Sequence, residues 1–118
     1  MSTQLILIGY NNRVFRAIQN TENGETSSET MFHYKQIGTI LTCDYSGGKI
    51  SFGQLIGVVK DNGTISMAYQ HVNDKNEIRT GICNSRPEIL ANGKIRLHEN
   101  WTWTSGDLSK GYSILEEI

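Results

Sequence analysis

One proline, Pro87, and two cysteines, Cys43 and Cys83, are all that 118 residues contain of either type. The cysteines form no CxxC pair and no metal-ligand spacing, which excludes a zinc ribbon and a dense disulfide framework. In a reducing compartment they are expected as small buried hydrophobes. Long apolar runs are missing too. The run Leu5 to Ile8 is far shorter than the roughly 20 residues of a membrane helix, and it lacks the basic flank of a signal peptide. The expectation is a cytoplasmic protein with no membrane partner. An excess of positive charge is also absent, since 11 Lys and Arg stand against 12 Asp and Glu. Phosphate neutralisation needs a basic stripe, so no nucleic-acid partner is expected.

Helical periodicity is lacking as well. No stretch of ten or so residues keeps apolar side chains at i, i+3, i+4 and i+7, whereas period-two segments recur between turn signals. Strands are expected at 13–19, 30–37, 40–46, 49–60, 64–72, 78–90, 94–104 and 111–117. The 118 residues then form one all-β, antiparallel domain, and eight strands joined by short turns suggest an up-and-down barrel or a sandwich.

The turns support this reading. Gly47-Gly48 between Tyr45 and Ile50 reads as a two-residue hairpin, because glycine accepts positive φ freely. Asp61-Asn62-Gly63 and Ala91-Asn92-Gly93 read as further hairpins, and Asn73 to Asn76 as a polar loop. A three-residue loop at 61–63 sets Val59 opposite Ile65, Gly57 opposite Met67, Leu55 opposite Tyr69 and Gly53 opposite His71. Small residues facing large ones suit a narrow barrel interior. At the 91–93 turn the register stays open: Glu99 faces Arg86 with a two-residue loop and Ser85 with a three-residue one. Pro87 cannot donate to a ladder and belongs at a bulge or an edge. Residues 20–29 contain no apolar side chain; they read first as a solvated surface loop and second as a lid over one barrel mouth.

The strand Ile95 to Thr104 carries the most chemistry. Its odd positions, Ile95, Leu97, Glu99, Trp101 and Trp103, share one face, which the apolar residues mark as inward. Glu99 must then be paired, hydrogen-bonded or protonated, because an unpaired buried carboxylate is costly. Arg86, Ser85 or a backbone amide is its expected partner. The two indoles offer an apolar wall with N–H donors. Tyr34, Tyr45 and Tyr69 would add hydroxyls to it, and His71 follows Tyr69 on its face. His33, His71 and His98 lie on three strands with no HxH or HExxH spacing, so no metal site is expected. No G-x-S-x-G elbow, phosphate loop or dinucleotide fingerprint is present, and no catalytic residue or cofactor is assigned.

The blocks Asn20-Thr-Glu-Asn-Gly-Glu25, Phe32-His-Tyr34, Tyr45-Ser-Gly-Gly48, Tyr69-Gln-His-Val-Asn73, Arg96-Leu-His-Glu99 and Trp101-Thr-Trp-Thr-Ser-Gly-Asp107 together carry a family resemblance. From about Asn12 to Ile118 the chain resembles small, mostly bacterial proteins with an avidin-like or calycin-type barrel. Many of those carry the name N-acetylglutamate synthase. The resemblance implies an eight-stranded antiparallel barrel and assigns no catalytic residue. A synthase of the usual acetyl-CoA-dependent kind binds pyrophosphate on a Gly-rich loop at a helix N-terminus, and this sequence offers neither part. A fold does not by itself imply a ligand, so biotin is not carried over.

The leading expectation is a non-catalytic barrel that binds a small organic ligand, lined by Tyr34, Tyr69, His71, Glu99, Trp101 and Trp103. One alternative is an enzyme, either as the family name suggests or through acid–base chemistry by Glu99 with His71. The other is a plugged barrel acting as a structural or homo-oligomeric module, since eight strands are just enough for side chains to fill the interior.

Overall fold

Buried and exposed residues alternate along nearly the whole chain, and that alternation builds a sheet with one apolar face. The computed structural model describes residues 8–118, so the Leu5–Ile8 run lies outside it except for Ile8. Its strands are β1 (Val14–Asn20), β2 (Met31–Ile37), β3 (Ile40–Gly47), β4 (Ile50–Val59), β5 (Ile65–Asn73), β6 (Ile78–Ile89), β7 (Ile95–Trp103) and β8 (Lys110–Glu117). Each expected strand is present, with ends within one residue of the expectation. Every strand pairs antiparallel with its neighbours in sequence, and β8 closes on β1 through pairs such as Ala17 with Leu115. Closure leaves no free sheet edge. No helix among the described residues is long and apolar enough to cross a membrane.

The β4–β5 register is the expected one, with Val59, Gly57, Leu55 and Gly53 opposite Ile65, Met67, Tyr69 and His71. The β6–β7 turn takes the three-residue form, which sets Ser85, not Arg86, opposite Glu99. No bulge is needed for this: Pro87 pairs in register with Leu97, past the point where the β5 ladder ends at Ser85. Its missing N–H therefore falls where β5 offers no acceptor.

Two turn readings need correction. The β3–β4 turn is Gly48-Lys49, with Gly47 paired to Ile50, because an irregularity between Tyr45 and Gly47 moves the turn along by one residue. Gly47 and Gly48 still take positive φ, at 118° and 62°. Asn73 is not a solvated loop residue; it is buried, and its Oδ1 accepts the amides of Lys75 and Glu77 across the turn.

The up-and-down order gives the barrel two distinct ends. The turns at 38–39, 61–63 and 91–93 share one end, which Tyr10 closes, fully buried with its hydroxyl on the Gly63 carbonyl. Phe15, Tyr34, Leu41, Ile65, Ile95, Leu97 and Leu115 fill the interior there. The segment 21–30 and the loops at 48–49, 74–77 and 104–109 surround the other end.

Candidate functional site

At that second end, β7 places Glu99, Trp101 and Trp103 on successive inward positions, as the strand period requires. Glu99 is buried in one row with Ser85 on β6 and Ser113 on β8. Ser113 Oγ donates to Glu99 Oε1 at 3.3 Å, and among the described residues no other hydrogen bond reaches this carboxyl. Ser85 Oγ is buried, and among the described residues it has no hydrogen-bond partner. Burial pushes the Glu99 carboxyl up to about 7, with the two serine hydroxyls pulling the other way.

Aromatic rings wall the space above Glu99, and glycines on adjacent strands make room for them. A side chain at Gly53, Gly81 or Gly111 would overlap the rings of Tyr45, Tyr69 and Trp101 respectively. Tyr69 and Trp103 meet edge to face at 5.8 Å, and Trp101 and Trp103 do so at 5.3 Å. Phe32 stacks on Tyr45 at 5.0 Å. Burial raises the Tyr45 and Tyr69 hydroxyls well above the usual tyrosine range, so both stay protonated.

The polar segment between β1 and β2 crosses this mouth. Glu25 reaches in, with Oε1 2.8 Å from His71 Nε2 and Oε2 3.0 Å from Arg79 Nη1, and it accepts from Asn73 Nδ2 at 3.2 Å. The Asn23 carbonyl accepts the Trp103 indole N–H at 3.0 Å, and its amide donates to Ser109 and Lys110. The segment is thus held across the mouth where a lid would lie, while Thr21 to Asn23 and Ser27 to Glu29 stay exposed as in a solvated loop. Burial raises the Glu25 carboxyl, but His71, Asn73 and Arg79 outweigh it, and the net shift is downward. His71 is lowered, chiefly by burial and against the pull of Glu25. A carboxylate only accepts, so neutral His71 donates from Nε2 to Glu25 and accepts at Nδ1 from Tyr45 Oη, 2.9 Å away. Arg79 lies 4.0 Å from the Trp103 ring centroid.

The cavity enclosed by these groups measures about 50 Å³. Tyr69, His71, Glu99, Trp101 and Trp103 all line it. Tyr34 does not: it packs between Phe15 and Tyr10 toward the filled end, its hydroxyl buried and unpartnered. The expected meeting of His71 with Glu99 does not form either, because both imidazole nitrogens are engaged by Glu25 and Tyr45. His98 faces outward between Tyr112 and Glu88, and His33 is exposed. Among the described residues no three His, Cys, Asp or Glu side chains converge as metal ligands. Cys43 and Cys83 are free and buried, and Cys83 borders the cavity.

Ser113, Phe32, Glu25, Asn73 and Arg79 belong to this site without having been anticipated. Phe32 was findable from the inward parity it shares with Tyr34. Ser113 was not, because the loop at 104–109 transmits no register from β7 to β8. Glu25 carries no local signal to distinguish it from Glu22 or Glu29 in the same polar segment.

The family model described as avidin-like protein matches residues 8–118, the whole described barrel. No curated protein and no solved structure matches the chain.

Proposed function

The chain belongs to the avidin-like protein family, and we propose that it is a non-catalytic barrel holding a small organic ligand in its lidded end. One observation carries this reading. Glu99 is buried at the floor of an aromatic cavity with a single long hydrogen bond from Ser113. A fold gains nothing from a poorly partnered buried carboxyl, since desolvation costs several kcal/mol. A ligand that completes its partners supplies the reason for it. The remaining lining residues suit the part of container, being rings that give contact area and hydroxyls held protonated.

The cavity volume bounds the ligand. Pockets for drug-sized molecules measure roughly 300–1,000 Å³, and about 50 Å³ admits only a compact molecule while the lid is closed. Glu25 and Asn23 are the lid's attachments to the interior, so release of both is the entry step.

The test is a small-molecule screen read by the fluorescence of Trp101 and Trp103, with native mass spectrometry of freshly purified protein for a retained ligand. A compact ligand is expected to perturb the indoles and to lose binding in Glu99→Ala, which keeps a folded barrel. Unchanged affinity in that variant would sink the reading.

A further inference from the structure

The cavity pairs a carboxyl that lacks a counter-charge with an unusually aromatic wall. Phe32, Tyr45, Tyr69, His71, Trp101 and Trp103 contribute six rings to it, while no lysine or arginine side chain lines it. The nearby guanidinium of Arg79 is already committed to the Glu25 carboxylate and the Trp103 ring. Glu25 is correspondingly neutralised, which leaves Glu99 as the one lining acid without a cationic partner among the described residues. The walls are also faceted: Trp103 makes angles of 67° with Tyr69 and 64° with Trp101, and Tyr45 stands at 82° to His71. Phe32 and Tyr45 stack at 24° and Tyr69 and His71 at 13°, so the wall combines parallel and inclined rings, and aromatic surface of this kind attracts organic cations through the ring quadrupole.

Resting on the reading of the cavity as a ligand site, we propose that its ligand is a small organic cation of the alkylammonium class, seated among the rings with Glu99 as counter-ion. The size agrees. A cavity of about 50 Å³ takes roughly four water-sized spheres at 10–15 Å³ each, which corresponds to a cation of about five heavy atoms. An anion would meet the carboxyl and the ring faces unfavourably. A neutral molecule of the same shape would meet Glu99 in its protonated form and gain nothing from its ionisation.

Ionised Glu99 is needed for this pairing, so cation affinity should rise from pH 6 to pH 8 and then level off. The other titratable groups facing the cavity do not account for such a rise. Tyr45, Tyr69 and Cys83 are held protonated by burial, as are Tyr34 and Cys43 outside the lining. Burial holds His71 below its ordinary range, and Glu25 is lowered.

The experiment is a calorimetric titration of the full chain at pH 8 with tetramethylammonium, with neutral tert-butanol and with acetate, at matched ionic strength. Tetramethylammonium is expected to bind about tenfold or more tighter than tert-butanol, with acetate silent. Glu99→Gln is expected to remove that preference while keeping the affinity for tert-butanol. Equal or tighter binding of tert-butanol or acetate by the natural chain would overturn the cation assignment and leave the small-ligand barrel standing. Binding of none of the three would overturn the cation assignment, while the screen and the native mass spectrum decide the small-ligand reading separately. If Glu99→Gln fails to fold, the selectivity and pH profile of the natural chain decide the question alone.

Discussion

At the end closed by Tyr10, the inward positions carry Phe15, Leu41, Ile65, Ile95, Leu97 and Leu115, each at most 1% exposed. At the lidded end the same strands carry Phe32, Tyr45, His71, Glu99, Trp101 and Trp103 around open space. The backbone rule is identical in both halves, one side chain in two facing inward. The contents differ. Branched aliphatics interdigitate to the density of a solid core. Flat rings seated over Gly53, Gly81 and Gly111 cannot close the last gaps, and polar atoms remain inside. One barrel thus divides the work, with one end supplying stability and the other holding chemistry that stability alone would not select.

The sharpest way to break this comparison is to cut the filled end. Phe15→Ala should cost about 3–5 kcal/mol and Leu97→Ala about 2–5 kcal/mol, because the deletion leaves a cavity that close-packed neighbours cannot collapse into. Urea denaturation reads both, and a loss below about 1 kcal/mol would show that this end is not the stabilising core.

At the lidded end the expected effect is a stability that falls with pH. The Glu99 carboxyl sits at about 7 in the fold against 4.5 when unperturbed. Between those values the unfolded chain has released its proton and the folded chain retains it, so stability is greatest below 4.5 and is lost as pH rises to about 7. The loss is on the order of 3 kcal/mol. His71 and Glu25, both lowered, act in the opposite sense on acidification. The difference between the natural chain and Glu99→Gln therefore isolates the Glu99 contribution. A pH dependence of stability that Glu99→Gln leaves unchanged would place the carboxyl among satisfied groups and erase the contrast between the ends.

The smallest expected effect concerns the lid. Glu25→Gln weakens the contacts to His71 and Arg79, worth about 1–2 kcal/mol for partly exposed charge-assisted bonds. Hydrogen exchange at the amides of Gly24 and Thr30, which bond to Thr21 and Ser27, should accelerate about tenfold with global stability nearly unchanged. Equal protection in both proteins would show that the segment is held without Glu25.

Much of this architecture was legible because it is local. Alternation marked Glu99 as an acid on an apolar face, and Asn62-Gly63 and Asn92-Gly93 announced hairpins whose glycines both take φ of 85°. One register followed from a single turn length, as Gly53 opposite His71 shows, whereas the seats of Tyr45, Tyr69 and Trp101 rest on pairings with other strands. Tyr34 and Trp101 share inward parity, yet Trp101 lines the cavity and Tyr34 does not. Parity tells inward from outward, but depth along the barrel axis depends on how far β2 is staggered against its neighbours.

The sequence by itself determined the strands, their inward faces, the register across the 61–63 turn and the presence of a buried acid, since each depends on residues near one another in the chain. Only the tertiary structure decided that Ser113 is the group opposite Glu99 and that Glu25 enters the mouth to hold His71 and Arg79. Those contacts join residues 14, 46 and 54 positions apart. Period-two alternation carries no information across the polar loops between them; barrel closure and packing supply it.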